Sequence, residues 1–194
     1  MSRSIADLFR KIIIENELFG NLDHITKFSD SEGVRSGKGL SFGVSRFTVA
    51  NNWHAKQCLI ACGFSQAEIE GIRSKTIDVK PLEAKLRDHA MVVAKWDERQ
   101  LTSCLQRAYR LMEKHGVILV DDAALMAVAD YNNQFRLSER KKPDNLIHYL
   151  AELNRPITAE DVLEFRLNHT AYGKERPDDC RRRYNNILKI MRNS

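Results

Sequence analysis

The stretch FSDSEGVRSGKGLSFGVSRF, residues 28–47, holds an Asp, a Glu, four glycines and a row of small hydroxyl residues. Glycine reaches backbone conformations closed to other residues, so a run this rich in it reads as turns instead of helix. Its second half runs into LSFGVSRFTV, residues 40–49, which alternates well enough to form a short hairpin or strand pair. Away from this stretch the period becomes helical. Upstream, Ile5, Leu8, Phe9, Ile12 and Asn16 recur at helical spacing and predict an amphipathic helix over residues 4–18 that ends near Gly20. Downstream, VANNWHAKQCLIACG reads as a helix stopped by Gly63, and Ser65 and Glu68 stand in capping-box relation at the start of the next one. Further helices are predicted over residues 81–94, 97–115, 121–135, 144–154, 159–169 and 177–192. The expected fold class is α+β, predominantly helical, with one small β element near the N-terminus.

A chain of 194 residues, 43% of them hydrophobic, is long enough to bury one sizeable core and short for two. One domain is expected over residues 1–194, with 1–50 carrying the first helix and the β element and 51–194 forming a helical lobe. No apolar run approaches the roughly 20 residues that span a bilayer, and MSRSIADLFRKIIIENELFG mixes charges among its apolar residues, unlike a signal peptide. The expectation is a chain made in the cytoplasm with no signal peptide and no transmembrane segment. Cys58, Cys62, Cys104 and Cys180 read as reduced, buried thiols. The histidines show neither His-x-x-x-His nor Cys/His ligand spacing, so no metal and no cofactor is expected. The segment RSGKG lacks the spacing of a phosphate-binding loop. A net charge of +5 allows an anionic partner, whether nucleic acid, an acidic membrane or a bacterial cell wall. RRRYNN beside LKIMRN makes a basic C-terminal helix, which reads as a solvated face that also covers the core with Tyr184, Ile187 and Ile190, or as an electrostatic contact with an anionic envelope.

The glycine-rich stretch follows directly on a helix that ends in IIIENELFG. On a helical wheel Glu15 sits beside Leu8 and three residues past Ile12, on the flank of the expected buried face, whereas Glu17 points to solvent. General acid chemistry needs a carboxyl that stays protonated near neutral pH, which shelter against apolar packing favours. Glycosidic bond cleavage uses such a group to protonate the leaving oxygen. The plainer reading, a surface residue in the last helical turn, stands beside it.

A helix ending in a Glu, an Asp-bearing glycine turn, and a small β element with a hydroxyl-x-Gly sequence together resemble the lysozyme superfamily. SDSEG, residues 29–33, is similar to the Asp-hydroxyl-Glu-Gly turn of phage-type lysozymes, and LSFGVSRF to their Thr-Ile-Gly strand. Glu15-Asn16 and GKGLSFGVSRF also resemble bacterial chitosanases, with a Glu-Asn helix end and a Gly-rich turn. The likeness covers mainly residues 8–50. AALMAVADYNNQFRL, residues 123–137, is similar to the helix in these enzymes that runs into an amide-bearing turn facing the cleft, with Asn132, Asn133 and Gln134 in the relevant places.

The resemblance implies a lysozyme-like fold and a monomeric, endolysin-like glycosidase. Its partner would be peptidoglycan or a related amino-sugar polymer, reached by cell lysis or dedicated export. It implies Glu15 as general acid, Ser41 as the hydroxyl that positions water or a carboxylate, and Arg46, Asn132, Asn133 and Gln134 as substrate contacts. The spacing from Glu15 to Asp30 and on to Ser41 is wider than in the compact phage lysozymes, and Ser36 stands where the chitosanases carry an Asp. The second carboxylate is therefore Asp30 or Glu32, and Glu32 is otherwise a substrate contact. Three alternatives remain: a single Glu cleaving as lytic transglycosylases do, a lysozyme-like scaffold that binds glycan or a partner without cleaving it, and a basic nucleic-acid-binding protein. The last lacks a helix-turn-helix signature or aromatic platform.

Overall fold

Short polar side chains set most of the helix starts. The computed structural model describes residues 4–30, 40–139 and 145–194. In chain order the elements are α1 (Ile5–Leu18), a 3-10 turn (Leu22–Thr26), β1 (Ser41–Phe42), β2 (Phe47–Thr48), α2 (Trp53–Ala61), α3 (Gln66–Ser74), α4 (Glu83–Asp88), α5 (Ala90–Lys114), α6 (Asp122–Phe135), α7 (Leu146–Glu152), α8 (Ala159–His169), α9 (Ala171–Glu175) and α10 (Pro177–Arg192). Asn52, Asp121, Asn145 and Thr158 cap α2, α6, α7 and α8 by accepting from backbone amides that would otherwise lack partners. The capping box of Ser65 and Glu68 forms as expected, at 3.2 and 2.7 Å. Gly63, at φ +77°, ends α2 in the left-handed conformation. The chain is mostly helical with one antiparallel two-stranded sheet, the expected α+β class. No helix among the described residues is long and apolar enough to cross a membrane.

Two features differ from the sequence expectation. The break expected between residues 94 and 97 is absent, because α5 runs unbroken from Ala90 and the break falls at His89 instead. Asp97, which suits the opening of a helix, lies inside one and uses its carboxylate elsewhere. The short α9 and the 3-10 turn were not expected, being too brief to show a period. The chain divides into two compact units, one of residues 1–16 with 101–194 and one of residues 17–100. These boundaries are drawn differently from lobes of 1–50 and 51–194.

In the first unit, α6 is buried from Ala123 to Asn132, and its four alanines let α8 and α10 pack closely against it. Within this apolar setting Asp130 is fully enclosed, at 0% exposure. Its carboxylate accepts from Arg166 Nη2 at 2.7 Å, from Arg183 Nη2 and Nε at 2.8 and 3.1 Å, and from Asn16 Nδ2 at 3.0 Å. Burial alone would push this carboxyl up, but the two guanidinium groups outweigh it and hold it below the ordinary Asp value. Arg182 and Arg183 also donate to the backbone carbonyls of Glu15 and Asn16, so α10 satisfies carbonyls at the end of α1.

In the second unit the core gathers Phe28, Phe42, Phe47, Phe64, Ile69, Ile72, Leu86 and Val93. Phe42 meets Phe28 and Phe47 edge-on, with ring centroids 5.5 and 5.4 Å apart. The hairpin pairs Ser41 with Thr48 and Phe42 with Phe47, within the region where a β element was expected. Both cysteines of CLIAC lie in this unit. All four cysteines of the chain are buried free thiols, as expected.

Candidate functional site

The four residues between the strands, Gly43 to Arg46, form the turn on which the site is built. Gly43 has φ +77°, and a Cβ there would lie 2.8 Å from Asp97 Oδ1 and 3.0 Å from the Phe47 ring, so only glycine fits. Asp97 reaches this turn from α5 and is itself fully buried. Its carboxylate accepts from the Val44 amide at 2.8 Å, the Ser45 amide at 3.1 Å and the Ser45 hydroxyl at 3.0 Å. Three charge-assisted bonds to one buried acceptor fix the turn in a single shape. The turn closes on Arg46, a non-glycine residue at φ +55°. The half-buried Arg46 guanidinium is pushed below its ordinary value by burial, and the nearby negative charge of Glu17 acts in the opposite direction.

That pairing reverses the expectation for the helix end. Glu15 is exposed and Glu17 is half-buried. The buried face of α1 takes in Ile13 in addition to the expected Leu8, Phe9, Ile12 and Asn16, so it is wider on the Glu17 side than the expected face. Ile13 precedes Glu17 by one turn, which puts Glu17 on the flank of this wider face. Leu18, on the far side of the wheel, is also buried, so the last turn is sheltered on more than one side. Glu15 contributes its backbone carbonyl to Arg182.

The other expected residues are held as follows. Ser41 is 1% exposed, and its hydroxyl bonds the Ser29 carbonyl at 3.3 Å and lies 3.4 Å from the Ser29 hydroxyl. It ties the start of β1 to Ser29 and presents no hydroxyl to solvent, against the expectation that it positions water. Asp30 is exposed and takes both carboxylate oxygens to Lys75 Nζ, at 2.6 and 2.7 Å. Glu32 and Ser36 lie outside the described residues.

In the first unit, Asn132 is buried, donates to the Cys104 carbonyl and accepts from the Leu137 amide, both at 2.9 Å. Asn133 is half-buried, 3.9 Å from the Cys104 thiol. Gln134 accepts from Arg166 at 2.7 Å. These amides hold the end of α6, and Asn132 is closed to any ligand. Of the three consecutive arginines in α10, Arg183 is buried on Asp130, Arg182 bonds Asp179 and the end of α1, and Arg181 is exposed. The basic run is therefore largely structural, and Arg181, Lys189 and Arg192 carry its solvent-facing charge.

Sequence reasoning turned Glu17 to solvent and singled out neither Asp97 nor an aromatic group in the same unit. Trp53 opens α2 and is 64% exposed. Its ring lies edge-on to Trp96 at 5.9 Å and to His54 at 5.3 Å. A legible signal for Asp97 was the GVS turn itself, whose consecutive amides need an acceptor that no neighbouring residue in sequence supplies. No known protein family, characterised protein or solved structure matches this chain.

Proposed function

We propose that this protein is a lysozyme-like glycosidase acting on peptidoglycan or a related amino-sugar polymer, delivered to the wall by lysis or dedicated export, and that Glu17 is its general acid. The observation that carries this reading is the half-buried Glu17 in the last turn of α1, within electrostatic reach of Arg46 on a turn that Asp97 holds rigid. In this reading the Glu17 carboxyl gives its proton to the glycosidic oxygen as the C1–O bond breaks, and Arg46, carried on the rigid turn, contacts the sugar. Positive charge develops on C1 and the ring oxygen, and water completes the cleavage. Asp30 or Glu32 serves as the second carboxylate. If neither acts, the sugar's own hydroxyl attacks and leaves an anhydro end.

Glu17→Gln preserves size and hydrogen bonding but has no proton to give. Turbidity loss on purified peptidoglycan should fall by about 100-fold or more for this variant and stay near the parent rate for Glu15→Gln. The reverse result would assign the acid to Glu15. Mass spectrometry of the products separates reducing from anhydro ends. The engagement of Asp30 by Lys75 and the burial of Ser41 favour a second reading, a scaffold that binds glycan without cleaving it. Sedimentation with peptidoglycan in the absence of any cleavage by the parent chain would select it.

A further inference from the structure

Both tryptophans of the chain meet at one place in the second unit, on α2 and α5. Trp53 is 64% exposed, yet its indole is braced edge-on by Trp96, at 74° between ring planes, and by His54, at 61°. His54 is fixed in turn by Gln100, whose Oε1 lies 2.7 Å from Nδ1. The Arg99 guanidinium lies over the Trp96 ring at 4.7 Å from its centroid. An indole packed against two neighbouring rings and still 64% exposed offers a stacking surface that loses little conformational freedom on binding.

The neighbours of this plate in sequence indicate what covers it. Lys56 and Gln57 follow Trp53 by one turn of α2, Asn51 and Asn52 precede it, and Arg99 and Gln100 follow Trp96 by one turn of α5. A single exposed aromatic side chain with polar neighbours in sequence is too small and too polar to form the apolar core of a protein interface, which needs roughly 800 Å² on each partner. It matches a pyranose ring, whose C–H face packs on the electron-rich indole while its hydroxyl, N-acetyl and carboxylate groups reach the polar neighbours.

We propose that Trp53, braced by Trp96 and His54, is a saccharide-stacking subsite for the amino-sugar polymer, a proposal that rests on the glycosidase reading for its ligand class. The turn that carries Arg46 and the plate are close in sequence: β2 ends at Thr48, and the Asn52 amide bonds the Thr48 carbonyl at 3.0 Å just before Trp53.

The test uses the full chain carrying Glu17→Gln, titrated with soluble oligomers of alternating N-acetylglucosamine and N-acetylmuramic acid while indole emission is followed. The expected result is a saturable change in emission, weakened about tenfold or more in midpoint by Trp53→Ala and partly restored by Trp53→Phe. In the chain with Glu17 intact, Trp53→Ala should raise KM on the same oligomers with kcat little changed, as expected for a binding contact remote from the reacting bond. Equal midpoints for Trp53 and Trp53→Ala, or an emission that the oligomers leave untouched, would overturn the subsite. Binding through Trp53 by a chain that cleaves nothing would retain the subsite and reject the glycosidase, so the two ideas fail separately.

Discussion

At the scale of single residues, burial decides what each polar group is for. Ser41 and Asn132 carry the right chemistry for a sugar site, yet both are enclosed and bonded within the chain, whereas Glu17, which the wheel turned outward, is the sheltered carboxylate beside Arg46. Residue type was legible in the sequence, but orientation on a helix end was not, because two glutamates two residues apart flank opposite sides of one face and a widening of that face on the Glu17 side shelters the other one. The cysteines give a residue-scale prediction. Burial pushes the Cys104 thiol up to about 12, and the hydrogen bond with Cys62 together with burial pushes Cys58 up. Since the thiolate is the reactive form, an aromatic disulfide reagent at pH 7 should modify Cys58 and Cys104 slowly in the folded chain. All four thiols should react rapidly once the chain is denatured without reductant. Fast labelling of Cys104 in the native protein would show that the α5 and α6 packing opens readily.

At the scale of elements, the parts legible in advance were those with a local cause. The capping box at Ser65, the stop at Gly63 and the spans of α8 and α10 follow from side chains within a few residues of the boundary. The continuity of α5 was not legible, because Asp97 satisfies amides of a hairpin 52 and 53 residues away. The hairpin is correspondingly vulnerable at one atom. Gly43→Ala places a methyl group 2.8 Å from Asp97 Oδ1 in a conformation that L-residues rarely adopt. The combined backbone and steric cost should be about 2–3 kcal/mol, read as a lower denaturant midpoint. Because Asp97 must retreat, the proposed glycosidase reading expects the same variant to lose hydrolytic rate beyond what its remaining folded fraction accounts for. Full activity per folded molecule would show that the turn need not be held as drawn for catalysis.

At the scale of the whole molecule, the charge that gives +5 in the sequence is sorted by depth, and this sorting predicts the response to acid. Arg166 and Arg183 are buried on Asp130 and contribute to stability instead of to a surface field. Asp130, Asp161 and Asp179 are all held below the ordinary Asp value. At Asp130 and Asp179, burial acts upward and is outweighed by arginines, with Tyr172 assisting at Asp179; at Asp161, the bond from Arg155 is the chief cause. A carboxyl depressed in the folded state stabilises it above the unfolded value of about 3.9 and loses that contribution as pH falls through the lower folded value. Denaturant midpoints should therefore stay level from pH 7 to about pH 5 as far as these three groups govern them, and fall steeply below about pH 4. Asp130→Asn isolates the central member. At pH 7 it leaves two buried guanidinium groups without their anion and should cost about 3–5 kcal/mol. At a pH below the folded value the parent Asp130 is itself protonated, so the difference between parent and variant should narrow toward the cost of exchanging an acid for an amide. A gap that stayed constant as pH fell through the unfolded Asp value of about 3.9 would mean that Asp130 binds its proton equally in the folded and unfolded chain, and the account of α1, α6, α8 and α10 as tied together by one carboxylate held ionised would fall with it.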